Sequence, residues 1–182
     1  MDINLHSFNG PQDSEKVIDW SDKTIIPSAE ISDTIKCSTG LRKTKIILGE
    51  VHGGNEDAID VNKLCEDIEI SAKLWSFTNG RSKYGFTLKG GSKNISLSGI
   101  VAGDPLVDIG NASDQSHDLT TGVVLNLKRL DGKPIRVRVL GGDLPVLVDG
   151  SGPYRFIFPW KSKILRTITT KVFLQLRRTF SR

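Results

Sequence analysis

Between residues 32 and 152 the apolar positions come in short alternating runs. Asp33-Thr-Ile-Lys-Cys37, Asp57-Ala-Ile-Asp-Val61, Tyr84-Gly-Phe-Thr-Leu88, Pro105-Leu-Val-Asp-Ile109 and Ile135-Arg-Val-Arg-Val139 each set apolar residues two apart across a polar one. That is the period of a strand with one buried face. No ten-residue window in this region keeps a 3.6-residue apolar period, which counts against a doubly wound α/β fold. Gly, Asn, Asp and Ser separate the runs, and 17 of the 18 glycines fall between Gly40 and Gly152, so the strands are short and the turns frequent.

The runs repeat. Each is followed by a turn and a second short apolar stretch: Ile46-Ile-Leu48, Ile68-Glu-Ile70, Ile95-Ser-Leu97, Val123-Val-Leu125 and Val146-Leu-Val148. From Ile35, Ile59, Phe86, Val107 and Val137 to Ile46, Ile68, Ile95, Val123 and Val146 the offsets are 11, 9, 9, 16 and 9, the long one containing the polar insertion 111–121. A two-strand unit at a steady offset is what a parallel β-solenoid needs, because each coil stacks its strands roughly 4.8 Å from those of the next and its inward residues form ladders. An antiparallel sandwich is the competing architecture, and it rarely keeps such an offset. Gly53-Gly54-Asn55, Gly90-Gly91 and Gly141-Gly142 are expected where the coil bends.

Outside this region the texture changes. Residues 1–31 are polar and aperiodic and read as an extended N-terminal arm, with Trp20 and Ile25-Ile26 as its anchors onto a partner surface. Residues 153–182 begin with Pro153, Pro159 and Trp160 and continue as a basic segment. Projected as a helix, Ile164, Leu165, Ile168, Val172, Phe173, Leu176 and Phe180 share one half, and Lys163, Arg166, Lys171, Arg177 and Arg178 lie mostly on the other. Leu174 breaks that pattern and the threonines at 167, 169 and 170 are poor helix formers, so a strand through Val172, Leu174 and Leu176 stays open.

Charge follows the same boundaries. Of 182 residues, 25 are Lys or Arg and 21 Asp or Glu, a formal net charge of +4. Residues 1–150 hold 17 basic and 21 acidic residues, and 151–182 hold 8 basic and none acidic. The body is therefore acidic and repels phosphate, so nucleic acid or an anionic membrane is a less favoured partner, and only through the tail. No run of 18 apolar residues spans a bilayer, and the start lacks the basic and apolar regions of a secretory signal, so synthesis in a host cytoplasm is expected, with the virion as the final location. Cys37 and Cys65 read as buried small hydrophobes or free thiols ahead of a disulfide. His6, His52 and His117 are isolated, which disfavours a histidine-based zinc site or triad.

Val51-His-Gly-Gly-Asn-Glu-Asp-Ala-Ile-Asp-Val-Asn62, with Asp67-Ile-Glu-Ile70 and Lys93-Asn-Ile-Ser-Leu97, resembles coils of right-handed parallel β-helix proteins of the pectate-lyase-like superfamily. The resemblance covers residues 32–152. It implies the fold and two kinds of role: polysaccharide lyases and hydrolases on one side, bacteriophage tailspike and virion-surface proteins without chemistry on the other.

If the first strands stack as aligned, their outward positions form the column Lys36, Asp60, Thr87, Asp108, Arg138. Lyases of the family hold calcium with acidic residues on one sheet face and use an Arg or Lys as base, a role the resemblance offers to Lys36, Asp60, Asp108 and Arg138. By strand spacing Asp60 and Asp108 sit roughly 10 Å apart, too far to share one ion unaided, though within about the spacing of a glycosidase pair. Glu50, Glu56 and Asp57 read as a solvated turn, His52 as a turn histidine, and Trp75 with Phe77 as core or partner-facing aromatics.

The expected molecule is all-β: a short right-handed parallel β-helix of about four to five coils (32–152), with an extended arm (1–31) and a basic C-terminal anchor or cap (153–182). The expected role is a non-catalytic structural or interaction protein, in the manner of a bacteriophage capsid decoration or cement protein or small spike. It would dock onto capsid or tail subunits through Trp20, Trp160, Lys161, Lys163, Arg166, Lys171, Arg177 and Arg178, with no cofactor or metal, and a homotrimer is compatible with it. A small β-helix polysaccharide lyase or hydrolase is the alternative.

Overall fold

A computed structural model describes residues 6–9, 15–28, 30–78, 85–110 and 119–158. The chain runs β1 (His6–Asn9), β2 (Lys16–Ile25), β3 (Asp33–Ser38), β4 (Arg42–His52), β5 (Asp57–Val61), β6 (Glu66–Ser76) and β7 (Gly85–Leu88). It continues through β8 (Lys93–Ala102), β9 (Leu106–Ile109), β10 (Val124–Arg129), β11 (Ile135–Val139), β12 (Val146–Leu147) and β13 (Tyr154–Ile157). Odd-numbered strands form a seven-stranded sheet and even-numbered strands a six-stranded one, each in sequence order. Every pairing is parallel. The chain thus winds between two sheets as a parallel β-solenoid of about four turns, with no helix among the described residues. Parallel pairing at every step excludes the antiparallel sandwich, whose neighbouring strands run in opposite directions.

The inward positions make continuous apolar ladders. In the seven-stranded sheet Ile35, Ile59, Phe86, Val107, Val137 and Phe156 lie in register, as do Cys37, Val61, Leu88, Ile109 and Val139. Facing them, Ile18, Ile46, Ile70, Leu97, Leu125 and Leu147 share one rung. The expected second-strand markers Ile68, Ile95 and Val123 therefore sit one rung, two residues, before the rung of Ile46. The strands β4, β6 and β8 are 10 or 11 residues long and carry several inward apolar residues, so picking the first apolar pair mixes rungs. On the true rung the offsets tighten to 11, 11, 11, 18 and 10.

Trp75 is fully buried, packs edge-on to Phe86 with ring centroids 5.1 Å apart, and donates its indole N–H to the Ser98 carbonyl at 2.9 Å. Phe77 also packs edge-on to Phe86, with ring centroids 5.4 Å apart. These aromatics are core, and edge-to-face packing adds about 1 kcal/mol per pair beyond burial. The Val51–Trp75–Val101 ladder ends on Arg129, whose guanidinium is capped by Asp131 (Nε–Oδ1 2.8 Å, NH2–Oδ2 2.6 Å) and Asp104 (2.5 Å). Tyr154 ties the last coil together, its hydroxyl accepting from the Leu127 amide at 2.8 Å and donating to the Leu127 carbonyl at 3.1 Å.

One corner repeats its backbone from coil to coil. Thr39-Gly40, Lys63-Leu64 and Gly90-Gly91 are all pairs of positive-φ residues, stacked by Gly40 N–H to Lys63 O and Leu64 N–H to Gly90 O at 2.8 Å each. Gly90 is required twice over: its φ is +66°, and a Cβ there would stand 2.6 Å from the Lys63 nitrogen. Three residues further on, Lys43, Asp67, Asn94 and Gly122 are again left-handed, with Asn94 Nδ2 donating to Asp67 Oδ1 at 2.9 Å. Between these points Leu41, Cys65, Ser92 and Thr120 turn inward and are buried. Both cysteines are free thiols in the core.

The expected N-terminal arm is extended, but residues 6–9 and 16–25 of it are strands, β2 pairing with β4 on either side of an irregularity between Trp20 and Thr24. Trp20, opposite Leu48, packs partly buried against the core with the Lys23 ammonium 5.4 Å above its ring. At the other end β13 carries the sheet past residue 152.

Candidate functional site

The outward column of the seven-stranded sheet is in the register expected: Lys36 beside Asp60, Asp60 beside Thr87, Thr87 beside Asp108, Asp108 beside Arg138. Its three middle members are not solvated, however. Asp60, Thr87 and Asp108 are 2%, 1% and 0% exposed. A buried carboxylate needs a countercharge, and the column supplies one at each end. Lys36 Nζ lies 3.1 Å from Asp60 Oδ2 and 3.3 Å from Asp33 Oδ2, and Lys89 Nζ lies 3.5 Å from Asp60 Oδ1. Asn62 Nδ2 donates to Asp60 Oδ2 at 2.7 Å. Arg138 grips Asp108 with both edges of its fork, Nε to Oδ1 at 2.9 Å and NH2 to Oδ2 at 2.5 Å, the geometry that makes guanidinium–carboxylate pairs strong.

Asp57 was expected on a solvated turn and is instead 4% exposed. Its register explains this: Asp33 and Asp57 occupy the same first position of β3 and β5. Asp57 Oδ1 accepts hydrogen bonds from Thr87 Oγ1 at 2.9 Å and the Gly85 amide at 3.3 Å. Burial drives its carboxyl up to about 7, helped by Asp33 and Asp60 and opposed by those two donors. Asp33 is also raised, first by burial and then by Asp60, despite its contact with Lys36. Burial lowers the Lys36 ammonium, yet Asp60 and Asp33 together hold it above its ordinary value.

The column thus gathers three carboxylates and two lysines around Asp60, and a separate Asp108–Arg138 pair, with the Thr87 side chain between them. Asp33, Lys89 and Asn62 are members the sequence reading passed over; the shared spacing of Asp33-x-x-Lys36 and Asp57-x-x-Asp60 was the available signal. Among the described residues no group of three His, Cys, Asp or Glu side chains is placed to hold a metal ion. His52 Nε2 is 2.9 Å from Glu50 Oε1, on the opposite sheet. Among the described residues no helix is long and apolar enough to cross a membrane.

Of the expected partner-binding residues only Trp20 is described. Trp160, Lys161, Lys163, Arg166, Lys171, Arg177 and Arg178 lie outside the described residues. No family model matches the chain, and neither a curated protein nor a solved structure matches it.

Proposed function

We propose that the chain is a non-catalytic structural or interaction protein, a short solenoid carried on a larger protein assembly such as a virion surface and held there through its terminal segments. The observation that carries this reading is the state of the polar column. Asp60 and Asp108 are buried and spend their charge on Lys36, Lys89 and Arg138, as expected of ion pairs that set strand register and specificity rather than of groups that meet a substrate. The contrast between an acidic body and the eight basic residues of 151–182 suits attachment to an acidic protein surface, since complementary charge steers docking and fixes orientation.

The test is isolation from the native source at low ionic strength, followed by sedimentation and composition analysis. The chain is expected to travel with a large assembly and to be released by salt, because exposed charge contacts are screened above about 0.15 M. Sedimentation as a free 20.0 kDa chain overturns the proposal.

A further inference from the structure

The outward face of the seven-stranded sheet changes character at β11 and β13. Strand β11 buries Ile135, Val137 and Val139 and turns Arg136 and Arg138 outward, and β13 turns Arg155 and Ile157 outward. In register, Arg138 lies between Asp108 and Ile157, whereas Arg136 lies between Leu106 and Arg155. Arg138 therefore finds a carboxylate one strand away and closes its fork on it, Nε to Oδ1 at 2.9 Å. Arg136 finds none beside it. Its contacts all come from NH2, to the Asp104 carbonyl at 3.0 Å and Asp104 Oδ2 at 3.2 Å, and its Nε has no hydrogen-bond partner. Asp104 is itself shared with the buried Arg129. Arg155 is exposed and forms no ion pair among the described residues. Like charges opposite one another on strands roughly 4.8 Å apart destabilise a sheet, and a shared counter-anion reverses that sign.

We propose that Arg136 and Arg155 together form a docking point for a side-chain carboxylate of an acidic partner protein. The neighbouring rung shows the fit, because Asp108 supplies to Arg138 the planar acceptor that Arg136 lacks, and a guanidinium gives such a group two parallel N–H bonds. Asp104, already against Arg136, limits the negative charge the site tolerates and favours a singly charged carboxylate over a doubly charged phosphate. An extended polyanion such as nucleic acid is disfavoured, since residues 1–150 carry 17 basic and 21 acidic side chains and repel a phosphate chain laid along them. The identity of the partner rests on the reading of the chain as a docking protein. The site itself belongs to the folded chain and is tested on that chain alone.

Titration of the full-length chain with a capped tetraglutamate peptide at low ionic strength, followed by NMR at the side-chain Nε–H groups of Arg136 and Arg155, tests the site. Both resonances are expected to shift saturably. The affinity read at Arg136 is expected to fall at least about threefold in Arg155→Gln, the scale of one exposed ion pair, and to stay unchanged in Lys16→Gln on β2, at the other end of the solenoid. An unchanged backbone amide spectrum shows that each variant is folded. No shift at these two groups overturns the proposal. So does an affinity indifferent to Arg155→Gln, or a response to inorganic phosphate without one to the peptide. The docking reading fails separately: a chain that binds the peptide but sediments free keeps the site and loses the assembly, and one that sediments with an assembly without these shifts does the reverse.

Discussion

Replacing Asp57 by Asn is expected to stabilise the protein at alkaline pH and to flatten much of its pH dependence. The folded chain holds this carboxyl at 4% exposure beside Asp33 and Asp60, and its value is raised from 3.8 to about 7. A group raised on folding contributes its full stability below its unfolded value and loses it as pH climbs through the folded one. Stability therefore falls between about pH 4 and 7 and stays low above. At about 1.4 kcal/mol per pH unit, holding the charged form in the fold costs up to about 4 kcal/mol at pH 8. Asparagine removes the charge and keeps an Oδ1 to accept from Thr87 and Gly85. Urea denaturation followed by far-ultraviolet circular dichroism at intervals from pH 4.5 to 8.5 provides the measurement. Asp57→Asn is expected to exceed wild type by only about 1 kcal/mol at pH 4.5, and by about 2–4 kcal/mol at pH 8. A residual slope from Asp33, raised in the same sense, remains in the variant. Equal stabilities at pH 8, or a wild-type stability that rises from pH 5 to 8, would show that Asp57 is not buried as a strained carboxylate.

Three further perturbations probe the register, the core and the corner. Arg138→Gln leaves Asp108, which is fully buried, without its countercharge and is expected to cost about 3–5 kcal/mol, most of it recovered in the double variant Asp108→Asn, Arg138→Gln; a double-mutant cycle by chemical denaturation measures the coupling. Phe86→Ala removes the ring clasped by Trp75 and Phe77 and is expected to cost about 3–5 kcal/mol by the same assay. Leu64 is 53% exposed with φ +63°, so Leu64→Gly relieves a left-handed leucine and is expected to raise stability by about 0.5–1 kcal/mol, read as an upward shift in melting temperature.

The strand-rich class, the parallel stacking and the exact neighbours Lys36–Asp60–Thr87–Asp108–Arg138 were all legible in the order of residues, because a period of two and a steady offset between strands are local quantities. The two-residue slip at Ile68 and Ile95 came from the long strands β6 and β8, where several inward residues compete as markers and only hydrogen bonding selects the rung; Val123 lies just before β10. The left-handed corner left a faint trace, Gly40, Gly90-Gly91, Asn94 and Gly122. It was hidden by Lys63, Leu64 and Lys43, residues that enter that conformation only under the pull of the stacked turns on either side.

Which residues face which follows from residue order alone: alternation assigns each side chain to one side of its strand, and the repeat assigns its neighbour in the next coil. Whether an outward position is wet or dry was decided only by the tertiary structure. Asp60 and Glu69 both occupy outward positions of solenoid strands, yet Asp60 is sealed among Lys36, Lys89 and Asn62 while Glu69 remains half-exposed beside Lys45. Solvent exposure depends on what the rest of the chain lays over a face. That follows from packing at a distance, which a periodicity of two cannot encode.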